Sequence, residues 1–250
     1  INQVLDLHSS IQNPAQVQLA DENLKGQVEF KDVTFRYAAN SEAVIENVSF
    51  RAEAGQTVAF IGSTGSGKST LVNLIPRFYN VSAGEILVDG VNVQDYDLED
   101  LRNKVGYIPQ KAVLFSGDVK DNLDFGQSQE TPLSEQAMWQ ALELAQSKNF
   151  IEDKEAGLAS EVAQGGTNFS GGQRQRLAIA RALARKPEIL IFDDSFSALD
   201  YKTDRVLRQE LAEKTKSMTK LIIAQRISTI MDADLILVLD QGKVVGQGTH

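Results

Sequence analysis

GSTGSGKST, residues 62–70, is the stretch from which most of this chain's architecture can be inferred. It matches the pattern G-x-x-x-x-G-K-[ST], with an apolar strand-like run before it and a helix-like pattern after it. Such a glycine-rich turn lets backbone N–H groups converge on a phosphate, assisted by the positive end of the helix. The predicted phosphate-binding residues are Gly62, Ser63, Thr64, Gly65, Ser66, Gly67, Lys68, Ser69 and Thr70.

A magnesium site is predicted next to this turn. Lys68 would hold the β- and γ-phosphates of a nucleotide, and Ser69 would ligate Mg²⁺. The apolar run EILIFD ends in Asp193, and ligands of open α/β sheets bind at the carboxyl ends of strands. An aspartate at this position could equally cap the next element, but beside a phosphate loop the magnesium role is favoured.

Short apolar runs alternate with helical patterns from residue 56 onwards. The predicted strands are TVAFIG, EILVDG, KVGYIP, EILIFD, KLIIAQ and DLILVLD, and the alternation indicates a parallel sheet covered on both faces. A mostly helical stretch at about 112–185 interrupts it and predicts an inserted subdomain, in which Trp139 is expected in the core. Upstream, QVEFKDVTFRY changes parity at Lys31–Asp32, which predicts a bulge or a tight hairpin.

Composition excludes several classes of function. The net charge of −9 argues against a nucleic-acid partner, since non-specific binding needs clustered Lys and Arg. The absence of cysteine excludes thiolate metal sites and cysteine nucleophiles, and two histidines leave little for His-based chemistry. No apolar run approaches the ~20 residues that span a bilayer. Residues 1–24 are predicted to be a linker from an upstream, transmembrane region that this chain lacks.

A second candidate anion site lies in NFSGGQRQRLAIARALARKP, residues 168–187. The predicted helix begins with Ser170, Gly171, Gly172 and Gln173, so its N-terminus carries no bulky side chain. An ordinary capped helix is the alternative, but two glycines there would be costly. Two phosphate sites far apart in one chain suggest that two chains share a nucleotide.

Together these motifs resemble the nucleotide-binding domain of ABC transporters of the exporter type. GSTGSGKS is similar to the Walker A loop, ILIFD to the Walker B strand, FSGGQ to the LSGGQ signature and SALD to the D-loop. Gln110 in YIPQ matches the Q-loop, and Tyr37 falls where the family stacks an aromatic ring on adenine. The resemblance covers about residues 25–250, with the motifs in the family's order.

The resemblance implies an α/β fold with a P-loop NTPase (RecA-like) core of mostly parallel sheet. It also implies an antiparallel β subdomain and an inserted helical subdomain. ATP and Mg²⁺ would be the cofactors, with Gln110 joining Ser69 and Asp193 around the metal. Two such domains would form a head-to-tail dimer around ATP, and the helical subdomain would contact a transmembrane domain. The chain would then lie at the cytoplasmic face of a cell membrane.

Three departures from the family fall at functional positions. Asp194 stands where the family has the glutamate base, and Gln225 where it has the switch histidine. Upstream of the signature, Gln164 and Gly165 replace a Glu–Arg pair. The shorter Asp194 side chain would misplace a catalytic carboxylate, and Gln225 cannot carry the charge of an imidazolium.

These departures predict a degenerate ATP site in a heterodimeric exporter. Asp194, Gln225 and Lys68 are its candidate catalytic residues, and the FSGGQ segment would complete the competent site of a non-identical partner. Weak hydrolysis by the isolated chain is expected. A homodimeric exporter domain with Asp194 as a slow base is the first alternative, and a soluble ABC-type ATPase acting in DNA repair or on ribosomes is the second.

Overall fold

The computed structural model describes residues 9–126, 132–225 and 230–250. Its strands in chain order are β1 (Val28–Phe35), β2 (Ile45–Ala52), β3 (Thr57–Gly62), β4 (Ala83–Val88), β5 (Val91–Asn92), β6 (Val105–Ile108), β7 (Gly117–Asp118), β8 (Glu161–Val162), β9 (Ile189–Asp193), β10 (Thr219–Ile223), β11 (Leu235–Asp240) and β12 (Lys243–Gly248). The α-helices are α1 (Lys68–Asn73), α2 (Leu98–Lys104), α3 (Val119–Asp124), α4 (Glu135–Leu144), α5 (Lys148–Glu152), α6 (Gly171–Ala184) and α7 (Tyr201–Lys214).

A six-stranded sheet in the order β12-β11-β3-β10-β9-β6 carries the site. All neighbouring pairs are parallel except β11 and the edge strand β12. Every residue of β9 and β10 is buried, as expected for strands that are covered on both faces. One face packs against α4, α6 and α7, and the other against α1, α2 and the second sheet. The carboxyl ends of β3, β6, β9 and β10 therefore meet along one edge.

A four-stranded antiparallel sheet has the order β2-β1-β4-β5. The predicted parity change is confirmed as a bulge: the register shifts between Phe30 and Val33, and Asp32 has a φ of 48°. The prediction for EILVDG was wrong in one respect. This run forms most of β4, which pairs with β1 in the antiparallel sheet instead of joining the parallel one. A short apolar run has the same pattern in either sheet.

Helices α3 to α6 follow β6 along the chain and pack together on one face of the main sheet. Trp139 is partly buried and packs against this cluster, so its predicted core position is partly realised. Within residues 9–126, 132–225 and 230–250, none of the helices combines the length and the apolar character that a bilayer span requires.

The segment before β1 contacts the rest of the chain. Asn13 accepts a hydrogen bond of 2.8 Å from the backbone N–H of Leu98, at the start of α2. Gln18 donates a side-chain hydrogen bond of 3.0 Å to Asp95. The part of the predicted linker that the structure describes is thus anchored beside the first turn of α2.

Candidate functional site

The predicted phosphate loop joins the carboxyl end of β3 to the N-terminus of α1. Gly62 has a φ of 150°, and a Cβ there would lie 2.1 Å from the carbonyl oxygen of Leu239. Gly67 has a φ of 98°, and a Cβ would lie 2.8 Å from the carbonyl oxygen of Val44. Both positions accept only glycine, because any side chain would collide with backbone. Gly65 has no atom within 4 Å of a built Cβ, so the loop is open above it.

Lys68 lies inside this loop. Its Nζ donates hydrogen bonds to the carbonyl oxygens of Gly62 and Ser63, at 2.9 and 2.7 Å. Burial lowers the pKa of Lys68, while the negative charges of Asp194 and Asp193 oppose that shift. The loop thus holds an ammonium group among its own oxygens, where it could bind a phosphate that enters the loop.

The predicted magnesium ligands Ser69 and Asp193 are in contact. The Ser69 hydroxyl donates to Oδ1 of Asp193 at 2.8 Å, across 124 sequence positions. The Tyr107 hydroxyl donates to Oδ2 of the same carboxylate at 2.9 Å. Burial, together with the charge of Asp193, raises the pKa of Tyr107, so this phenol stays a donor. Tyr107 was not predicted from the sequence; its place at the end of the KVGYIP strand was the available signal.

Hydroxyl and carboxylate oxygens are the ligands that Mg²⁺ prefers, usually combined with phosphate oxygens of a nucleotide. Among the described residues, no group of three or more His, Cys, Asp or Glu side chains could hold a metal ion by itself. The Ser69–Asp193 pair therefore fits a magnesium ion that a bound nucleotide helps to hold.

Asp194 occupies a constrained position directly after β9. Its φ of 49° is uncommon for a residue with a side chain, and only 7% of its surface is exposed. Two amides converge on its Oδ2: Gln110 Nε2 donates at 3.0 Å and Gln225 Nε2 at 2.8 Å. The structure thus joins three sequence-predicted residues that come from separate strand ends. It places the Gln110 amide nitrogen on Asp194, beside the Ser69–Asp193 pair.

These residues enclose a cavity of about 250 Å³. Its lining contains most of the predicted site: Gly62, Thr64, Gly65, Gly67, Lys68, Ser69, Thr70, Gln110, Asp193, Asp194 and Gln225, together with Val44 and Ile223. A larger cavity of about 700 Å³ lies between α4 and the C-terminal ends of α6 and α7. Its lining is a mixture of apolar and polar side chains and includes none of the predicted site residues. The chemistry of the lining, and not the size of the cavity, therefore identifies the candidate site.

Tyr37 lies just beyond the end of β1 with 55% of its surface exposed. Its hydroxyl shares a hydrogen bond of 2.9 Å with the hydroxyl of Thr70, the last residue of the phosphate loop. Tyr79 meets the Tyr37 ring edge-on, with ring centroids 5.3 Å apart. The ring is therefore held beside the loop and still offers surface for a base to stack on.

We expect Tyr37→Ala to weaken binding of MgATP by about 1–3 kcal/mol, or roughly 5- to 150-fold, the usual scale for stacking of a base on an aromatic ring. Calorimetric titration would measure the dissociation constant. Tyr37→Phe is the matched control, because it keeps the ring and loses only the hydrogen bond to Thr70. Equal affinities for the alanine variant and the unmodified chain would contradict the stacking role.

The predicted second anion site forms the N-terminus of α6. The Ser170 hydroxyl accepts from the Gln173 N–H at 3.2 Å, and the Gln173 side chain accepts from the Ser170 N–H at 2.9 Å. A Cβ at Gly172 would lie 3.5 Å from the carbonyl oxygen of Ala198, in the SALD turn. Phe169, the residue that differs from the family's leucine, is 3% exposed and packs near Phe150. The larger side chain thus fills core space and leaves the helix end bare.

Gln164 and Gly165 lie in a short 3-10 turn, Gln164–Gly166, upstream of α6. Gly165 has a φ of 68° and no atom within 4 Å of a built Cβ. Both residues are exposed, so the replacement of a Glu–Arg pair here leaves a small, neutral surface.

Comparisons with known proteins agree with this geometry. The family described as ABC transporter matches residues 45–197, more than half of the chain. The chain is 46% identical, over its full length, to an uncharacterized ABC transporter ATP-binding protein of Mycobacterium tuberculosis, of which it covers 43%. It is 44% identical to the ATP-dependent lipid A-core flippase of Pseudomonas aeruginosa, over 92% of the chain and 38% of that protein.

A bacterial Atm1-family ABC exporter, solved with ATP bound, superposes with a TM-score of 0.91 at 34% identity. The match covers 99% of the chain and 42% of that structure. The chain thus spans less than half the length of the relatives it matches. It belongs to the ABC transporter family, as an ABC-type ATPase domain with the α/β P-loop NTPase fold.

Proposed function

We propose that this chain is the ATP-binding domain of an ABC exporter and that it pairs head-to-tail with a second, non-identical ABC domain. ATP would lie between the phosphate loop of one domain and the FSGGQ helix end of the other. Ser69 and Asp193 would hold Mg²⁺, which neutralises phosphate charge, and Gln110 would approach the same ion. Tyr37 would carry the adenine, and Lys68 would bind the β- and γ-phosphates.

The pairing of Asp194 with Gln110 and Gln225 is the observation that carries the degenerate-site proposal. Both amides donate to one carboxylate oxygen, 3.0 and 2.8 Å away, which aligns the carboxylate but holds it close to β9. The Asp194 side chain is one methylene group shorter than a glutamate, so its carboxylate extends about 1.5 Å less far from the backbone. Gln225 adds no titratable group. Every element for binding ATP is retained, while the group that would activate water is too short.

The relatives support export across a membrane. One is named a lipid A-core flippase, another, from Entamoeba histolytica, a multidrug resistance protein, and the solved neighbour an exporter. We assign residues 1–24 to a linker, residues 25–250 to the nucleotide-binding domain and residues 112–185 to a helical subdomain that contacts the transmembrane domain. That arrangement would place the chain at the cytoplasmic face of the membrane.

A homodimeric exporter with Asp194 as a slow base is the second candidate. The retained carboxylate favours this candidate, because Asp194 directly follows β9 and lines the same cavity as Lys68 and Ser69. ATP-dependent dimers of this chain with itself would favour it, and sedimentation with and without MgATP would detect them. A soluble ABC-type mechanical ATPase is a weaker candidate, because the net charge of −9 suits neither DNA nor ribosomal RNA.

We expect the purified chain to bind MgATP and to release phosphate at a rate close to that of buffer alone. Calorimetric titration would measure binding, and a coupled phosphate assay would measure hydrolysis. Lys68→Met is the control for specific binding: it removes the ammonium group from the loop and should abolish most of the affinity. Rapid ATP hydrolysis by the unmodified chain would contradict the degenerate-site proposal.

A further inference from the structure

We infer that Gln175 and Arg181, both on α6, are positioning residues that tie the Gln110 segment (residues 109–115) to the FSGGQ end of the same helix. This inference rests on the proposed function, in which Gln110 responds to nucleotide at one ATP site and FSGGQ completes the other. Through these two side chains, occupancy of the chain's own site would set the position of the helix end that it offers to its partner.

Gln175 makes the first connection. Its side chain is buried, with 1% exposure, and its Nε2 donates a hydrogen bond of 3.1 Å to the carbonyl oxygen of Pro109. Pro109 directly precedes Gln110, whose amide donates to Asp194. A buried donor that lost this partner would leave two polar groups unsatisfied, which costs about 1–3 kcal/mol for each. The helix and the segment therefore move together at this point.

Arg181 makes the second connection, further along α6. Its guanidinium donates to the carbonyl oxygens of Asn122, at 2.8 Å, and Val113, at 3.1 Å, and to Asn122 Oδ1 at 2.7 Å. It also lies over the rings of Phe115 and Phe125, 5.3 and 5.7 Å from their centroids. Burial lowers the pKa of Arg181 to about 10, so it remains charged at neutral pH.

Asn122 connects Arg181 to a further residue of the Gln110 segment. Its Oδ1 accepts the N–H of Phe115 at 2.9 Å, and its Nδ2 donates to the carbonyl oxygen of Phe115 at 2.8 Å. Residues of α6 thus contact the Gln110 segment directly at Pro109 and Val113. The contact to Phe115 is indirect, through Asn122. Since α6 is a continuous helix, a displacement at Gln175 and Arg181 is carried to Ser170. Helix shifts of this kind are typically about 1–2 Å.

The test measures one distance within one chain. The chain has no native cysteine, so Thr167→Cys, near the FSGGQ end, and Lys216→Cys, in the turn before β10, accept spin labels specifically. Both positions are exposed. Pulsed electron paramagnetic resonance would give the distance between the labels with and without MgATP. We expect MgATP to shift the mean distance by on the order of 1–2 Å or more.

Gln175→Met and Arg181→Lys should each reduce that shift while leaving the dissociation constant for MgATP within about twofold, because neither residue lines the phosphate cavity. Arg185→Lys is the matched control: Arg185 directly follows the last residue of α6 but donates to Asn103, outside the Gln110 segment, so the shift should persist. The conservative Arg181→Lys keeps the test available if Gln175→Met does not fold.

The outcomes separate the two claims. MgATP binding with no shift in the unmodified pair of labels, or a shift that persists in both variants, would overturn the role of Gln175 and Arg181 and leave the proposed function intact. Failure of the labelled chain to bind MgATP at all would overturn the proposed function. A variant that loses the shift only together with its affinity for MgATP would place the residue in the binding site, against the inference.

Discussion

Combining Asp194→Glu with Gln225→His should raise ATP hydrolysis at this chain's own site by on the order of 100-fold, in a complete transporter that contains the chain. A misplacement of about 1 Å can cost that much, and glutamate extends the carboxylate by about 1.5 Å. Histidine at position 225 would restore a group able to carry positive charge near the phosphate. The present partners, Gln110 and Gln225, hold the shorter carboxylate close to its strand.

The measurement requires that the partner's own site does not hydrolyse ATP, so the phosphate-loop lysine of the partner would be replaced by methionine. Single-turnover hydrolysis then reports only on the site of this chain. Asp194→Asn is the matched control, since it keeps the length of the side chain and the acceptor oxygen but removes the carboxylate. Each single substitution should give less than the pair, because both residues share one hydrogen bond. No increase in the double variant would mean that positions 194 and 225 do not limit hydrolysis.

Much of the site could be predicted because its signals are local in the sequence. Gly62, Gly67 and Lys68 lie within one turn, and their spacing is set by backbone geometry alone. The bulge in β1 was also predictable, since a change of parity over two residues leaves few other conformations. The Ser69–Asp193 contact followed from a general rule about the carboxyl ends of strands.

The features of the site and the fold that were not predicted depend on contacts between distant parts of the chain. Gln110 and Asp194 are 84 positions apart, and nothing in either motif indicates that their side chains meet. Tyr107 reads as a strand residue, and only the pairing of β6 with β9 brings its hydroxyl to Asp193. The assignment of EILVDG to the wrong sheet has the same origin, because the partner of an apolar strand is not encoded in its own pattern.

Lys104→Met should lower the free energy of unfolding by about 3 kcal/mol, the lower part of the range for breaking a buried ion pair. Lys104 Nζ contacts Asp89 at 2.8 Å and Glu188 at 2.7 Å, and 1% of the Asp89 side chain is exposed. Asp89 also accepts the backbone N–H groups of Gly26 and Gln27, at 2.6 and 3.0 Å. Without the ammonium group, the Asp89 charge would be buried and would keep, within the described part of the chain, the Gly26 and Gln27 N–H groups as donors.

The pH dependence of this effect has a definite sign. Burial lowers the pKa of Lys104, but its hydrogen bonds to Asp89 and Glu188 outweigh burial and raise the pKa above the usual 10.5. A raised lysine pKa stabilises the fold fully below 10.5, and the contribution is lost as the pH rises through the higher, folded-state value. The contribution of the lysine itself is therefore constant across the neutral range. Burial already raises the pKa of Asp89, and Lys104→Met removes the ammonium group that opposes that shift. The stability lost in Lys104→Met should therefore become smaller as the pH falls and the buried Asp89 carboxylate takes up a proton.

Urea denaturation followed by circular dichroism would measure both free energies. Lys31→Met is the matched control, because its partner Glu85 lies 3.2 Å away on an exposed surface, where an ion pair contributes at most about 1 kcal/mol. Equal losses for the two variants would contradict the role of burial.

The Asp89 contacts tie the start of β1 to the turn after β4 and to the end of α2, so their loss should loosen the antiparallel sheet before the phosphate loop. MgATP affinity measured in native buffer should then survive in Lys104→Met even though the fold is less stable.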